Sequence, residues 1–336
     1  MKKHLSLPFL FFILLSIFLI YQLVIRIDIE KCWAILKTCN IYWVIIAALC
    51  HLLNHALRTY RWQLLLMKRG YNVDFISLYF TEMTGFFTNT LGFRAGEGIR
   101  CVLIKKNEGV PMGTGLSTVL IERVTDLFIF FALTIGAFLF MPKEVQSLQH
   151  RTFTSLRKVT ASLNYLYLLL FVLVAGSVGY YLFKRIKTDI RDSLKDFTEG
   201  IKKIPGTSFP LFWMLSSLIM VLYFLLEYIS LWSLEATSDL PFSTTFLLFV
   251  ALNMSHAIPL PGSGTGLYHQ LVVLVLSGGL GISKEIAFTY ATITHGIQLF
   301  NGLVVGGICS LFAVNAGGHT KKLSESDTAL KKDSPA

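Results

Sequence analysis

Charge is scarce in this chain. Only 15% of its 336 residues are charged, against 54% hydrophobic, whereas a soluble domain of this length carries about a quarter charged residues. Water is excluded as its main solvent. Cysteine is sparse as well: Cys32, Cys39, Cys50, Cys101 and Cys309 show no paired spacing, which argues against a disulfide framework and a zinc site. His51 and His55 stand four apart, as metal ligands on a helix do, but no third ligand lies near, so neither a metal nor a cofactor is expected. No Gly-x-x-x-x-Gly-Lys-Ser/Thr loop and no Asp-x-Asp pair occur. ATP hydrolysis and nucleotide-sugar chemistry are therefore not expected.

Long apolar runs take the place of charge. Leu5–Ile25, Leu163–Phe183 and Ile286–Val314 contain no charged residue, and Leu211–Leu234 contains only Glu227. About 20 apolar residues cross the hydrocarbon of a bilayer, so these runs predict transmembrane helices. The first lacks a small-residue cleavage site and reads as a retained span rather than a secretion signal. The net charge of +10 resides in the connections between runs, as the positive-inside bias requires, and does not point to nucleic acid. Lys184–Lys203, with seven Lys/Arg, is expected in the cytoplasm, and Glu235–Ser243, with none, outside. Arg26–Asn40 reads as an interfacial helix and Ile41–Leu57 as the next span, with Arg58, Arg61, Lys68 and Arg69 on the cytoplasmic side.

Two segments break the apolar rule. Phe75–Gly98 is aromatic and apolar but holds Glu82, Asn89, Gly92, Arg94, Gly96 and Glu97, and it is too short for two crossings. It is expected to dip into the membrane and return. In the second half Pro259-Leu260-Pro261-Gly262-Ser263-Gly264-Thr265-Gly266 must interrupt a helix near 258–269. One break in each half is the pattern of transporters built from inverted repeats, whose substrate lies at the paired breaks. The expectation is an all-α polytopic bundle over residues 1–314, with about eight spans, a re-entrant hairpin near 75–98 and an inverted repeat. Residues 315–336 read as a disordered cytoplasmic tail.

Ionisable groups inside apolar runs cost roughly 2.5–3.5 kcal/mol each on insertion scales, so they pair and face the interior. His51, Asn54, His55, Arg58 and Arg61 share one helix face, with Arg61 and Trp62 expected to snorkel to the headgroups. Arg94, Gly96 and Glu97 with Arg100 form a glycine-flanked ion-pair segment, readable either as a site within the bilayer or as an ordinary loop. Glu122, Arg123 and Asp126 lie too deep in a span for a loop, which leaves a packing salt bridge or a substrate role.

These residues resemble a family. Arg58-x-x-Arg61-Trp62, Asn89-x-Leu91, Arg94-Ala95-Gly96-Glu97-x-x-Arg100 and Leu120-Ile121-Glu122-Arg123-x-x-Asp126 are similar to the transmembrane region of lysylphosphatidylglycerol synthases and its stand-alone, flippase-like relatives. Pro261-Gly262 through Gly266-Leu267-Tyr268-His269, followed by His295, resembles a branch of that family with Gly-x-Tyr-His where others have glutamate. Gly92 stands where the family usually has proline. The resemblance spans roughly Leu5 to Val314 without the aminoacyl-transferring domain, so synthase activity is not expected.

The expected function is a flippase-like carrier of an anionic lipid or lipid-linked glycan across a bacterial cytoplasmic membrane, with both termini cytoplasmic. Its partners are membrane lipids, a lipid-linked sugar, a second copy of the chain or envelope-synthesis enzymes. Arg94, Arg100 and Arg123 suit phosphate oxygens, and Glu97, Glu122 and Asp126 balance them in the empty site. Asn89 and Tyr268 complete the candidate set, and His269 and His295 are candidates for proton coupling. The alternatives are a membrane-embedded transferase with Glu97 or Asp126 as base and a non-catalytic accessory protein of envelope lipid synthesis.

Overall fold

The computed structural model describes residues 7–91, 95–140, 154, 209–257 and 261–314. The expected span Leu163–Phe183, the basic Lys184–Lys203 segment, the tail after 314, and Gly92 and Arg94 lie outside the described residues. Among the described residues there is no strand, and the chain is an all-α membrane protein as its composition requires. Among the described residues three helices are long and apolar enough to cross a membrane: Ile41–Met67, Pro210–Leu231 and Lys284–Val314.

The chain opens with α1 (Leu7–Val24) and a short α2 (Ile29–Lys37), a helix within the segment Arg26–Asn40 where one was expected. Asp28 starts α2 by accepting from the backbone N–H groups of Glu30 and Lys31, the usual role of an N-cap aspartate. Next come α3 (Ile41–Met67), α4 (Phe75–Thr90), α5 (Gly96–Glu108) and α6 (Met112–Phe140). In the second half are α7 (Phe209–Leu231), the single-turn α8 (Glu235–Ser238), α9 (Phe242–Ala257) and α10 (Leu267–Val273), which continues as a π-helical turn over Leu274–Gly279. The last helix, α11, begins at Lys284 and runs to Val314 through a π turn at Asn301–Val305.

Element lengths repeat. In the first half a 27-residue helix precedes helices of 16 and 13 residues and then one of 29. In the second a 23-residue helix precedes one of 16, then 7 plus 6 residues of α10 and its π turn, then 31. The equivalent helices α3 and α7 run antiparallel. The Asn40 N–H donates to the Ser233 carbonyl at 2.8 Å, Trp43 meets Trp232 edge-on, and the Asn54 amide donates to the Ile219 carbonyl at 2.9 Å, so rising numbers on one helix face falling numbers on the other. The two units share an order of element lengths, and their leading helices run antiparallel.

The short pairs α4/α5 and α9/α10 are helical hairpins. At about 1.5 Å per residue, 13–16 residues reach only about 20–24 Å, less than the hydrocarbon thickness. The first hairpin thus extends past Gly98 to Glu108, and Arg100, Lys105 and Lys106, expected beyond the segment, belong to its second helix. Glycine makes the first hairpin tight. A Cβ on Gly85 would sit 2.9 Å from the Gly96 carbonyl oxygen, and one on Gly96 would overlap the Gly85 carbonyl. In the second hairpin Gly262, Ser263, Gly264 and Gly266 all have positive φ, a conformation that glycine adopts without strain. The turn Pro261–Gly264 packs against α4, so the two breaks meet inside the bundle.

Candidate functional site

Helices α3, α4, α5 and α6 each bring ionisable side chains to one cluster beside the hairpin tips. Arg61 of α3 is fully buried. Its Nε lies 3.4 Å from Glu122 of α6, its Nη2 3.2 Å from Asp126 one turn further on, and its Nη1 donates to Ser216 of α7 at 3.1 Å. Arg100 of α5 bridges Glu82 of α4 and Glu122, with its guanidinium 4.2 Å from the ring centre of Trp62. Arg58 adds a second cation to Glu82 at 3.1 Å and donates to the Tyr223 hydroxyl at 3.2 Å. Glu97 pairs with Arg123 and, at 3.4 Å, with Arg100, while Arg123 also reaches Asp126 at 3.5 Å. Arg58, Arg61, Arg100 and Arg123 thus face Glu82, Glu97, Glu122 and Asp126. Among the described residues four cations thus stand against four carboxylates, the balance that buried charge requires.

The expectation that Arg61 and Trp62 snorkel to headgroups is wrong. Helix α3 runs ten residues beyond Leu57 to Met67, which leaves both side chains inside. There Glu122 and Asp126 neutralise Arg61, and the Trp62 indole N–H donates to Thr118 at 2.9 Å. The loop reading of 94–100 fails in the same way, because Gly96 begins a helix and Arg100 is buried in the core.

Burial divides the cluster in two. The Arg61, Arg100, Glu82 and Glu122 side chains are at most 3% exposed, whereas Arg123 and Glu97 are 39% and 33% exposed. The exposed pair borders a cavity of about 380 Å³, whose charged lining also includes Arg58, Glu82, Arg100 and Asp126. Asn89 lines it too, and its side-chain oxygen accepts from the Gly96 N–H at 2.9 Å, so this residue holds the first hairpin closed at its tip. Tyr223, Asn253, Ser263 and Gln298 add uncharged polar groups to the lining, beside His256, Met220 and Leu252. Both hairpins therefore contribute to one chamber, within the 300–1,000 Å³ range of small-ligand sites.

The candidate residues of the second half assemble elsewhere. Tyr268, His269 and His295 do not line the chamber. Tyr268 is fully buried against Glu227 of α7, with Tyr290 and Thr294 of α11 beside it. His295 sits 2.7 Å from the Thr265 hydroxyl, and its ring lies 5.4 Å from that of His269. Among the described residues no group of three or more His, Cys, Asp or Glu side chains could hold a metal ion. Sequence reasoning missed Glu82 and Glu227 as site members. Glu82 recurs at i+3 or i+4 spacing with the glycine and asparagine of α4, and Glu227 is the lone charge of its run, so both were visible as intramembrane carboxylates with no partner near in sequence.

Comparison with known proteins agrees with this architecture. A family model described as lysylphosphatidylglycerol synthase TM region matches residues 9–306. The UPF0104 membrane protein MJ1595 of Methanocaldococcus jannaschii is 30% identical over 132 residues, which cover 38% of this chain and 39% of that protein. No solved structure matches. With nearly its whole length matched, the chain belongs to the lysylphosphatidylglycerol synthase TM region family.

Proposed function

We propose that this protein is a flippase-like transporter of an anionic lipid or lipid-linked glycan, working as a carrier rather than an enzyme in the cytoplasmic membrane. The observation that carries the reading is the chamber where two re-entrant hairpins meet, with Arg123 and Glu97 half-exposed on its wall. Arg123 can exchange Glu97 for a phosphate, because a guanidinium grips carboxylate and phosphate oxygens through the same planar fork. Arg61 and Arg100 already have their carboxylates and hold the wall in place. The N-terminus of α5 opens beside Glu97, and its helix dipole adds to the attraction for an anion. The Tyr223, Asn253, Ser263 and Gln298 side chains suit the hydroxyl groups of a glycerol or sugar headgroup.

The four-to-four charge balance also fits a purely structural cluster in an accessory protein. Mass spectrometry of lipids co-purified with the parent and with Arg123→Gln separates the two. A carrier loses its anionic lipids in the variant, and an accessory protein retains the same lipid profile.

A further inference from the structure

One carboxyl of the bundle is buried with no cation. Glu227 is fully buried, and among the described residues no Arg, Lys or His pairs with it. On α3, Arg58 engages Glu82 and Tyr223, and His51 faces Asn301. The ionisable groups of α6 are taken up in the charged cluster, and His256 of α9 lines the chamber. His269 of α10 lies against His295 of α11, whose ring stacks on Tyr268 at 5.7 Å without bonding the carboxyl. Among the described residues only hydroxyl groups reach its carboxyl. The Tyr268 oxygen is 3.3 and 3.4 Å from the two carboxyl oxygens and 2.8 Å from Thr294 Oγ1. The Tyr290 hydroxyl lies 3.1 Å from Glu227 Oε2 and 3.1 Å from its backbone carbonyl.

Counting hydrogens gives this cluster two states. In one, the Thr294 hydroxyl donates to the Tyr290 carbonyl at 3.0 Å and the short contact with Tyr268 uses the tyrosine hydrogen. The Tyr268 oxygen is then an acceptor, and Glu227 donates to it as a neutral carboxylic acid. In that state every group is satisfied: Glu227 donates to Tyr268, Tyr268 to Thr294, Thr294 to the backbone, and Tyr290 to the Glu227 carbonyl or carboxyl. When the proton leaves to water, one negative charge remains on the carboxyl. Tyr268 must then swing its hydrogen from Thr294 to Glu227 to compensate it, because an unpaired buried charge is far costlier than a lost neutral hydrogen bond.

We infer that Glu227, Tyr268, Tyr290 and Thr294 form a proton-binding site whose occupancy is linked to the position of the second hairpin. Tyr268 stands on α10, the returning arm of that hairpin, and the preceding turn gives Ser263 to the chamber wall. A change in the tyrosine's partner therefore acts on the arm that follows the turn bordering the ligand space. The proton site stands on the Glu227 geometry alone. Its link to lipid movement rests on the transporter reading.

Infrared spectroscopy of the full-length protein in nanodiscs at pH 7 tests the site. The parent should show a protonated-carboxyl stretching band, Glu227→Gln should lack it, and Tyr268→Phe should keep it at a shifted frequency, since its hydrogen-bond partner is gone. Because glutamine mimics the neutral acid, Glu227→Gln is expected to fold. No band in the parent, or the same band in Glu227→Gln, overturns the proton site. In proteoliposomes an imposed pH gradient should bias fluorescent phosphatidylglycerol between leaflets in the parent, and this bias should be lost in Glu227→Gln. An equal bias in both overturns the linkage. A parent that moves no lipid overturns the transporter reading and the linkage with it, and the infrared result still decides the proton site.

Discussion

Replacement of Arg100 by leucine isolates the interior half of the charged cluster. Arg100 joins Glu82 and Glu122, all three nearly without exposure, and lies on the face of Trp62. Removing one partner of a buried ion pair costs about 3–5 kcal/mol. Here each carboxylate keeps another arginine, Glu82 with Arg58 at 3.1 Å and Glu122 with Arg61 at 3.4 Å, which places the loss near the lower end. A lost cation–π contact adds about 1 kcal/mol, offset in part by leucine packing on the indole. The expected destabilisation is about 3–4 kcal/mol, a large share of a typical stability of roughly 5–15 kcal/mol. Arg123→Leu removes a cation 39% exposed at the chamber, where a pair is worth about 0–1 kcal/mol. Denaturant unfolding of the two variants in detergent micelles measures the difference. An Arg100→Leu protein within about 0.5 kcal/mol of the parent, the range of an unimportant surface change, would refute the assignment of Arg100 to the structural core.

Further outcomes follow from the hairpins and the topology. Gly96→Ala should cost about 3 kcal/mol or more, above the usual range of overpacking, because its Cβ meets the Gly85 backbone rather than a side chain that can turn away. Gly98→Ala, with nothing within 4 Å of the added Cβ, should instead stabilise α5 by up to ~1 kcal/mol; thermal unfolding of the pair reads both. In a cysteine-free background, Ala236→Cys, exposed on α8, should react with an impermeant thiol reagent added outside cells and Lys68→Cys should not. Labelling of Lys68→Cys instead would invert the topology.

The parts of this architecture that were legible in the sequence are those set by solvent. Apolar run length gives membrane helices, and Pro259 to Gly266 and the glycines around Arg94 mark the breaks, because bilayer and backbone constraints act locally. The intramembrane charges were legible as a class for the same reason. Their partners were not. Arg61 finds Glu122 sixty-one residues away and Tyr268 finds Glu227 forty-one residues away, and no local pattern encodes a pairing across helices. Arg61 was misplaced because a basic residue near a run's end reads as snorkelling until α6 supplies its carboxylates. Tyr268 and His269 read as neighbours of the charged site because they follow the second break closely. Helix α10 instead carries them back toward α7 and α11, away from the chamber.

Translocation of fluorescent phosphatidylglycerol in proteoliposomes, compared between the parent and Arg123→Gln, tests the central claim most directly. Arg123 is the arginine of the cluster most open to the chamber and contributes little to stability, so folding and function separate there. The expected result is a variant that reconstitutes and unfolds like the parent but no longer moves lipid above protein-free vesicles. Parental translocation by Arg123→Gln would contradict the assignment of the chamber as the lipid-headgroup site.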